Sequence, residues 1–440
     1  MNPLRVGICG AGTVGSGVIN VLRRNITLIS ARAGCPVIIE QIGARRDNSS
    51  CPTSDLNVTR NILDVANNPN IDILVELIGG CDDAQNLILT AIDQGKHIVT
   101  ANKALIAEKG HTLLEAAHKK NVIIAFEAAV AGSIPVIKCL RESLAANQVH
   151  WLAGIINGTG NFILTKMGDE YRSFSDVLTE AQTLGYAEAD PIFDVEGIDA
   201  CHKLTIMASI AFGIPLQFTK AYTEGISTVT PDDIRYASEM GYRIKHLGIA
   251  RQHFTSDNTP EAIELRVHPA LIPKTQPIAN INGVLNTVMI DCDAAGPIIC
   301  TGTGAGSEAT ASAVIADIID IARIRSNPTA VVYPLGKPLQ QLNNKLPILP
   351  VEEITTRYYL RIHAADHHGV MNAITNILSK HKISIAALTQ KANRDQKGFA
   401  DIVILTHQIL EKNIDAAITE ISQLTDINQP VTRIRVEAMS

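Results

Sequence analysis

Residues 185–203 place acidic side chains and one lysine directly before a long apolar segment. Pro191 prevents a helix from running through this stretch, so we predict a loop up to that residue. Beyond it, Asp194 is predicted to cap a new helix. Asp199 and Lys203 then lie one helical turn apart on the same face of that helix. A lysine held beside a carboxylate in this way could exchange a proton with a substrate oxygen.

A solvent-exposed ion pair is the alternative explanation for Asp199 and Lys203. Pairs at this spacing are usually solvated and stabilise a helix by only about 0.3–0.5 kcal/mol. Here the same face continues with Ile206 and Ile210, and no charged residue follows Lys203 until Lys220. We therefore predict a mostly buried helix, in which burial lowers the pKa of the lysine and the neighbouring carboxylate raises it.

The composition describes a protein with a well-developed core. The chain has 440 residues, of which 46% are hydrophobic and 19% charged, and its net charge is −6. The length allows two or three domains. The absence of basic blocks and the low aromatic content of 4% argue against nucleic-acid or membrane-surface binding.

The eight cysteines include no CxxC pair, so we predict reduced, buried thiols and neither a disulfide framework nor a zinc site. The apolar run 6–22 is rich in glycine, and the run 204–219 is too short to span a membrane. Since neither run predicts a targeting or membrane segment, we expect a cytoplasmic protein.

A glycine-rich turn near the start of the chain predicts dinucleotide binding. Residues 10–15 read Gly-Ala-Gly-Thr-Val-Gly and stand between the predicted strand Leu4–Cys9 and a helix. Gly10 permits a tight turn, Gly12 lets the backbone approach a pyrophosphate, and Gly15 allows the helix to pack closely on the strand. A glycine-rich turn in another kind of α/β unit is the alternative.

Two arginines follow the second predicted strand, Val37–Gly43. NAD-binding folds place an acidic residue near this strand end, where it binds the ribose 2′-hydroxyl group. Arg45 and Arg46 suit a 2′-phosphate instead, which favours NADP over NAD. Solvated loop arginines are the alternative explanation.

Strand and helix signals alternate as far as residue 126 and predict a Rossmann-type, doubly wound parallel sheet. Ligands of such sheets lie at the carboxyl ends of the strands, where residues 78–80, 100–103 and 127–135 fall. Lys103 stands at one of these ends, beside the predicted nicotinamide. The alternative is a surface lysine that opens a helix.

Residues 136–303 follow a different pattern and predict an α+β domain for substrate binding and dimerisation. A strand at 150–156 precedes a predicted turn at 157–161, two helices and the central acidic stretch; short β-like segments with many turns follow. The glycine-rich residues 302–306 then open a long helix. This segment could approach a ligand or act as a flexible elbow, and residues 304–325 would complete the first domain.

Residues 326–353 hold five prolines and little periodicity, so we predict a connector. From 354 to 440 the predicted order of elements is βαββαβ, a ferredoxin-like unit. The turn 366–369 in this unit offers backbone amides that could bind a small carboxylate.

Together these motifs resemble the homoserine dehydrogenases, in the single-function form with a C-terminal ACT domain, over nearly the whole chain. The resemblance rests on GAGTVG at 10–15, TANKALIA at 100–107, EAAVAGSIP at 127–135, NGTGNFIL at 157–164, GYAEADPIFDVEGIDACHK at 185–203 and GTGAGSEATASAV at 302–314. It implies an NAD(P)-dependent interconversion of L-homoserine and L-aspartate 4-semialdehyde, in the biosynthesis of threonine, methionine and isoleucine.

The same resemblance implies roles for individual residues. The implied catalytic residues are Lys203, which transfers the proton at the substrate oxygen, Lys103 and Asp199. The implied substrate-binding residues are Glu188, Gly185 and Asp199. The implied cofactor contacts are Gly10, Gly12, Thr13, Val14, Gly15, Thr100, Lys103 and Gly306. A monovalent cation, normally sodium, would bind Glu127, Val130, Gly132 and Ile134, largely through main-chain carbonyl groups.

Proteins of this family are usually dimers or tetramers, and their ACT domain often binds threonine as a feedback inhibitor. We therefore expect a homo-oligomer and a possible threonine effector. The ACT turn commonly contains a proline where His368 stands, which leaves ligand binding at this turn open. Two other hypotheses are an oxidoreductase for a different amino-acid semialdehyde and a non-enzymatic amino-acid sensor. The intact set of Glu188, Asp199 and Lys203 argues against the sensor.

Overall fold

The computed structural model describes residues 2–46, 48–49, 51, 53–325, 332–392 and 398–439, with the side chain of residue 392 excepted. Part of the predicted connector, residues 326–331, therefore lies outside the described residues. No helix within the described ranges is long and apolar enough to cross a membrane.

The N-terminal unit is built on a parallel sheet. Its strands are β1 (Leu4–Cys9), β2 (Val37–Gly43), β3 (Val58–Thr59), β4 (Ile73–Glu76), β5 (His97–Thr100) and β6 (Ile124–Ala125). Its helices are α1 (Thr13–Ala33), α2 (Ile62–Asn67), α3 (Asp82–Asp93) and α4 (Lys103–Lys119). The strand order is β3-β2-β1-β4-β5-β6, which confirms the predicted doubly wound sheet and puts its switch point between β1 and β4.

The rest of the chain forms a long mixed sheet with helices on its faces. Its strands are β7 (Val149–Ile155), β8 (Tyr222–Thr223), β9 (Tyr242–Phe254), β10 (Pro260–Pro273), β11 (Leu285–Cys292), β12 (Gly296–Thr303), β13 (Thr355–Ala365), β14 (Ile385–Ala392), β15 (Phe399–Thr406), β16 (Ile409–Leu410) and β17 (Thr432–Val436). The helices of this part of the chain are α5 (Val136–Lys138), α6 (Gly158–Glu170), α7 (Phe174–Thr183), α8 (Ile192–Val195), α9 (Ile198–Phe212), α10 (Pro231–Glu239), α11 (Ser307–Arg325), α12 (Val370–Lys380) and α13 (Glu411–Ile421). Helix α11 is the exception to this arrangement, because it packs against α1 of the N-terminal unit. The strand order is β12-β11-β7-β9-β10-β17-β13-β15-β14.

The prediction of short β segments in the middle of the chain is wrong for β9 and β10. Strands β9 and β10 are long and pair with each other in antiparallel register over most of their length. Lys245 precedes the apolar run of β9, and His268 and Pro269 follow that of β10, which made both strands look short. In the structure the side chains of Lys245 and His268 are buried and hydrogen-bonded, so the strands continue through them.

The turn predicted at 157–161 is also wrong, because this segment is the start of α6. Asn157 is the N-cap residue, and its side-chain oxygen accepts a hydrogen bond of 2.8 Å from the Gly160 amide. This cap satisfies a backbone donor that would otherwise lack a partner, so the glycine-rich sequence is compatible with a helix.

The C-terminal unit has the predicted βαββαβ order, and its sheet is continuous with that of the preceding domain. β10 and β17 pair in parallel through Ala270 with Arg435 and Leu271 with Val436. Arg435 forms ion pairs with Glu411 and with Glu224, the residue after β8. Because the Arg435 side chain is almost completely buried, these ion pairs compensate for the lost hydration of its charge.

The sheet of the C-terminal unit is covered on both faces. One face packs on α12 and α13. The other face contacts the helices of the preceding domain, where Tyr236 of α10 donates a 2.8 Å hydrogen bond to Asp401 of β15. Tyr359 of β13 donates in turn to Asp233 of α10 at 3.1 Å. The C-terminal unit therefore packs directly on helices of the preceding domain.

Candidate active site

A cleft of about 540 Å³ lies between the parallel sheet and the mixed sheet. Helix α9 contributes to its wall and is buried along nearly its whole length, as predicted. The predicted site residues that line this cleft are Val14, Lys103, Gly132, Gly185, Glu188, Asp199, Lys203 and Gly306.

Asp199 joins the two lysines of the cleft. The Nζ atom of Lys203 lies 2.6 Å from Oδ2 of Asp199, and Nζ of Lys103 lies 3.0 Å from Oδ1 of the same carboxylate. Lys203 also donates to the main-chain carbonyl of Ile156 at 2.7 Å. The pair formed by Asp199 and Lys203 is buried, so the alternative of a solvated ion pair is excluded.

The environment shifts the pKa values of the two lysines in opposite directions. Burial is the largest influence on Lys203 and lowers its pKa, although Asp199 acts against this shift. Burial also acts on Lys103, but the charge and hydrogen bond of Asp199 outweigh it and raise the Lys103 pKa. Burial would raise the pKa of Asp199, and the two lysines overcome this effect and lower it. Lys203 is therefore the lysine better suited to exchange a proton.

Asn157 is a site residue to which the sequence analysis gave no role. Its side-chain amide donates to Oδ2 of Asp199 at 2.9 Å and to Oδ1 of Asp194 at 2.8 Å. The same side chain caps α6, so the position of the helix fixes the amide. The available signal was an asparagine directly before a Gly-x-Gly sequence, which is a common N-cap pattern.

The prediction that Asp194 caps the central helix is wrong. Asp194 lies inside the short helix α8, and α9 begins separately after Gly197, whose φ angle of 83° is in the left-handed region. Gly197 therefore forms the boundary of α9, and the Asp194 side chain accepts a hydrogen bond from Asn157 instead of capping the helix. Burial raises the Asp194 pKa, and the hydrogen bond from Asn157 lowers it.

Glu188 and Gly185 lie in the loop between α7 and α8. This loop is anchored through its backbone, because Thr159 donates to the Tyr186 carbonyl at 2.6 Å and Gln182 donates to the Glu188 carbonyl at 3.1 Å. The carboxylate of Glu188 is exposed in the cleft and forms no ion pair with any described residue. It is therefore available to a cationic group of a ligand.

The glycine-rich turn fits a dinucleotide pyrophosphate. Gly10 has a φ angle of 113°, and a Cβ atom at Gly15 would lie 2.0 Å from the Gly10 carbonyl oxygen, so both positions require glycine. At Gly12 a Cβ atom would meet nothing within 4 Å, which leaves open space beside the backbone. Gly12 also precedes α1 without a side-chain cap, so the first amides of the helix, from Thr13 onward, can bind an anion.

Other predicted cofactor residues lie at the ends of the parallel strands. Thr100 is completely buried, and its hydroxyl donates to Glu76 at 2.6 Å, so it lies beneath the cleft and not in its lining. Arg45 and Arg46 are exposed just after β2. The guanidinium of Arg45 lies 2.6 Å from the carboxylate of Asp83, which is also exposed.

The loop predicted to bind a monovalent cation has an unusual backbone. Ala131 and Gly132 both have positive φ angles, 57° and 56°, and within the described residues no donor contacts the carbonyl oxygens of Val130 and Gly132. The carbonyl of Ile134 accepts a hydrogen bond from Val136. Free neutral carbonyl groups suit a hard cation of low charge.

Glu127 stands at the start of this loop and is buried. Its carboxylate oxygens accept hydrogen bonds of 2.9 Å from the amides of Ile137 and Lys138. Burial and the charge of Asp317 raise the Glu127 pKa to about 7. No group of three or more His, Cys, Asp or Glu side chains in the described ranges could hold a metal ion, so a cation beside Glu127 would also need carbonyl oxygens.

Three family models match the chain. The model "Homoserine dehydrogenase, NAD binding domain" matches residues 10–127, "Homoserine dehydrogenase" matches 135–319, and "ACT domain" matches 358–426. The chain is 54% identical over 441 residues to a homoserine dehydrogenase of Pseudomonas aeruginosa, and the match covers 100% of both chains. A homoserine dehydrogenase of Neisseria gonorrhoeae is 47% identical over 443 residues, again with 100% of both chains covered.

Two solved structures extend these likenesses to the fold. A homoserine dehydrogenase from Thiobacillus denitrificans is 51% identical, with a TM-score of 0.94 over 100% of this chain and 99% of that one. A hyperthermophilic archaeal homoserine dehydrogenase in complex with NADPH is 25% identical, with a TM-score of 0.61 over 74% of this chain and 98% of that one.

Proposed function

The chain belongs to the homoserine dehydrogenase family and is an NAD(P)-dependent oxidoreductase, and we propose that the cleft between its sheets interconverts L-homoserine and L-aspartate 4-semialdehyde. The observation that carries this proposal is the Asp199 carboxylate, which holds both Lys103 and Lys203 in one cleft beside Val14 and Gly306.

Lys203 transfers the proton. When bound, the nicotinamide cofactor accepts or supplies the hydride. In the reduction of the aldehyde, the Lys203 ammonium group donates a proton to the oxygen as negative charge develops on it. In the oxidation of the alcohol, the neutral amine accepts the hydroxyl proton. The lowered pKa of Lys203 supports both directions, because it makes the ammonium group a stronger acid and makes the neutral amine accessible at lower pH.

Lys103 remains charged and stabilises the developing negative charge on the same oxygen. Asp199 orients both lysines, which its contacts with them and with Asn157 support. Glu188 binds the ammonium group of the substrate, and Gly185 gives its loop the required turn, with a φ angle of 75°.

NADP is the proposed cofactor, with NAD as the alternative. The pyrophosphate would contact the turn from Gly10 to Gly15, where the uncapped amides of α1 are available. Arg45 and Arg46 would bind the 2′-phosphate. Their exposure after β2 supports this role, and so does the archaeal relative solved with NADPH.

A monovalent cation, sodium by preference, is proposed at Glu127, Val130, Gly132 and Ile134. The free carbonyl groups of the loop and the buried acid beside them support it. The ion would stabilise the loop that lines the cleft and would take no part in the proton transfer.

We further propose three domains: a cofactor-binding domain of residues 1–135 and 304–325, a substrate-binding domain of residues 136–303, and an ACT unit of residues 354–440. The ACT unit responds to an amino acid such as threonine. In the turn before α12, Gly369 precedes the helix without a side-chain cap, which supports binding of a carboxylate.

We also propose that the protein is a homodimer or homotetramer and that it is cytoplasmic. The eight free thiols support a reducing compartment.

The test is an assay of the purified chain in both directions. NADPH should form from NADP and L-homoserine, and it should be consumed with L-aspartate 4-semialdehyde. Glutamate 5-semialdehyde, which is one carbon longer, should be a much poorer substrate. A folded protein that turns over neither substrate would refute the proposal.

A further inference from the structure

A second cavity, of about 120 Å³, lies between α6, α10 and the start of β9. Basic side chains dominate the charge of its lining: the charged residues are Arg235, Arg243, Lys245, Lys274 and Asp169. We call it the basic cavity. None of these residues has a part in the chemistry proposed above.

Lys245 is a buried cation without an acidic partner. Its side chain is 2% exposed, and within the described residues its Nζ atom donates to neutral oxygens alone. These are the side chain of Asn161 at 3.0 Å, the carbonyl of Ile281 at 2.5 Å and the side chain of Asn282 at 3.1 Å. Burial, with a contribution from Arg243, lowers the Lys245 pKa to about 7. Such a charge is costly unless a counter-charge is supplied.

Two further cations of the cavity also have no acidic partner among the described residues. The Nε atom of Arg243 is buried without a hydrogen-bond acceptor, and its Nη1 atom forms only a long hydrogen bond of 3.5 Å, to the side-chain oxygen of Asn282. Lys274 donates to the carbonyl and hydroxyl oxygens of Ser238, at 2.9 and 2.8 Å. Arg235 differs, because it pairs with Asp232 at 2.6 Å.

We propose that the basic cavity binds a small oxyanion, a carboxylate or a phosphate group, with Lys245, Arg243 and Lys274 as its ligands. The anion supplies the counter-charge that these cations lack and an acceptor for the unpaired Nε–H of Arg243. The volume has room for several water molecules, and therefore for a group the size of sulfate or acetate.

The position of the cavity connects the anion with two other parts of the molecule. Lys245 contacts Asn161 in the first turn of α6, the helix whose cap residue Asn157 donates to Asp199. On the other side, Tyr236 of α10 donates to Asp401 in the sheet of the C-terminal unit. Occupancy of the basic cavity is therefore positioned to affect both the cleft and the contact with the C-terminal unit.

The test is calorimetric titration of the full chain with sodium sulfate at about pH 8, in two buffers that differ in ionisation enthalpy. The anion should raise the Lys245 pKa, so that binding takes up a proton; sulfate itself does not titrate at this pH. The other titratable or charged side chains that face Lys245 are Asp169 from α6, Arg235 from α10, Arg243 from β9, Lys274 after β10, and the phenols of Tyr171 and Tyr242. A parallel titration with sodium acetate distinguishes a carboxylate site from a phosphate-type site.

Matched variants decide the outcome. The double variant Arg243→Gln/Lys274→Gln should weaken the binding of sulfate or acetate about tenfold or more, whereas Lys412→Gln, an exposed lysine of α13, should not change it. Lys245→Met should bind without proton uptake. Failure of both anions to bind, or equal affinity in the double variant, would overturn the proposal. Binding to the unaltered chain without proton uptake would overturn the role of Lys245.

Discussion

The ammonium group of Lys103 lies 3.0 Å from the carboxylate of Asp199, although the two residues lie in the first turns of helices that pack on different sheets. Lys103 is the first residue of α4 in the N-terminal unit, and Asp199 lies in the first turn of α9, which packs on β9 and β10 of the mixed sheet. This contact crosses the cleft, so the relative placement of the two sheets sets the geometry of the proposed proton transfer.

Lys203→Met should lower kcat by about a hundredfold to ten-thousandfold, because it removes the group that exchanges the proton. Methionine fills a similar volume, but it leaves the buried Asp199 carboxylate with one lysine partner instead of two, so the melting temperature should also fall and the rates are compared well below it. Lys220→Met is the matched control, since Lys220 is exposed. Steady-state rates in both directions measure the effect, and normal turnover by Lys203→Met would exclude this lysine from the reaction.

Asp199→Asn should move the basic limb of the pH profile for aldehyde reduction to lower pH, by about one unit or more. The negative charge of Asp199 raises the Lys203 pKa, so its removal lowers that pKa further. Lys203 must be protonated to act as an acid, and activity is therefore lost earlier as the pH rises. Asp190→Asn, an exposed acid of the same segment, is the control. An unchanged limb in Asp199→Asn would contradict the coupling.

Arg45→Ala should reduce the ratio of kcat/KM for NADP to that for NAD by about tenfold, the expected effect of losing one charged contact with the 2′-phosphate. Asp83 now pairs with Arg45, so Asp83→Asn should raise the same ratio or leave it unchanged. Comparing both cofactors for each variant measures the preference. If Arg45→Ala retains the full preference, then the phosphate contact lies elsewhere.

Replacing sodium chloride with tetramethylammonium chloride of equal ionic strength should lower the melting temperature, and more at about pH 8 than at about pH 5.5. The Glu127 pKa is raised to about 7, above its unfolded value of about 4.3, so the folded state loses stability as the pH rises between these values. A bound cation offsets this loss once the carboxylate is ionised. Equal melting temperatures in the two salts at both pH values would argue against a sodium site.

The sequence was sufficient to predict elements whose local signals agree with their burial. The bounds of β1 and β2 match the prediction, because each strand is an apolar run that is followed by glycine or by charged residues typical of a turn. The pairing of Asp199 with Lys203 was also predictable, since both residues lie on one helix at a fixed spacing.

Contacts that depend on tertiary structure could not be predicted in this way. Nothing in the sequence near Lys103 indicates that its partner is Asp199, on a helix from another domain. Helix α10 and strand β12 were not predicted, because α10 is mostly polar and β12 is half exposed at the end of the sheet. Buried polar residues such as Lys245 in β9 and His268 in β10 also concealed the true length of these strands.

The pairing of β10 with β17 determines what would follow from truncating the protein. A fragment that ends before β13 would expose peptide groups of β10 near Ala270 and would deprive Arg266 of its partner Glu437. Such a bare edge could recruit strands of other molecules and promote aggregation. The C-terminal unit is therefore not a detachable module, and a shortened enzyme would need a substitute strand or a capping loop at this position.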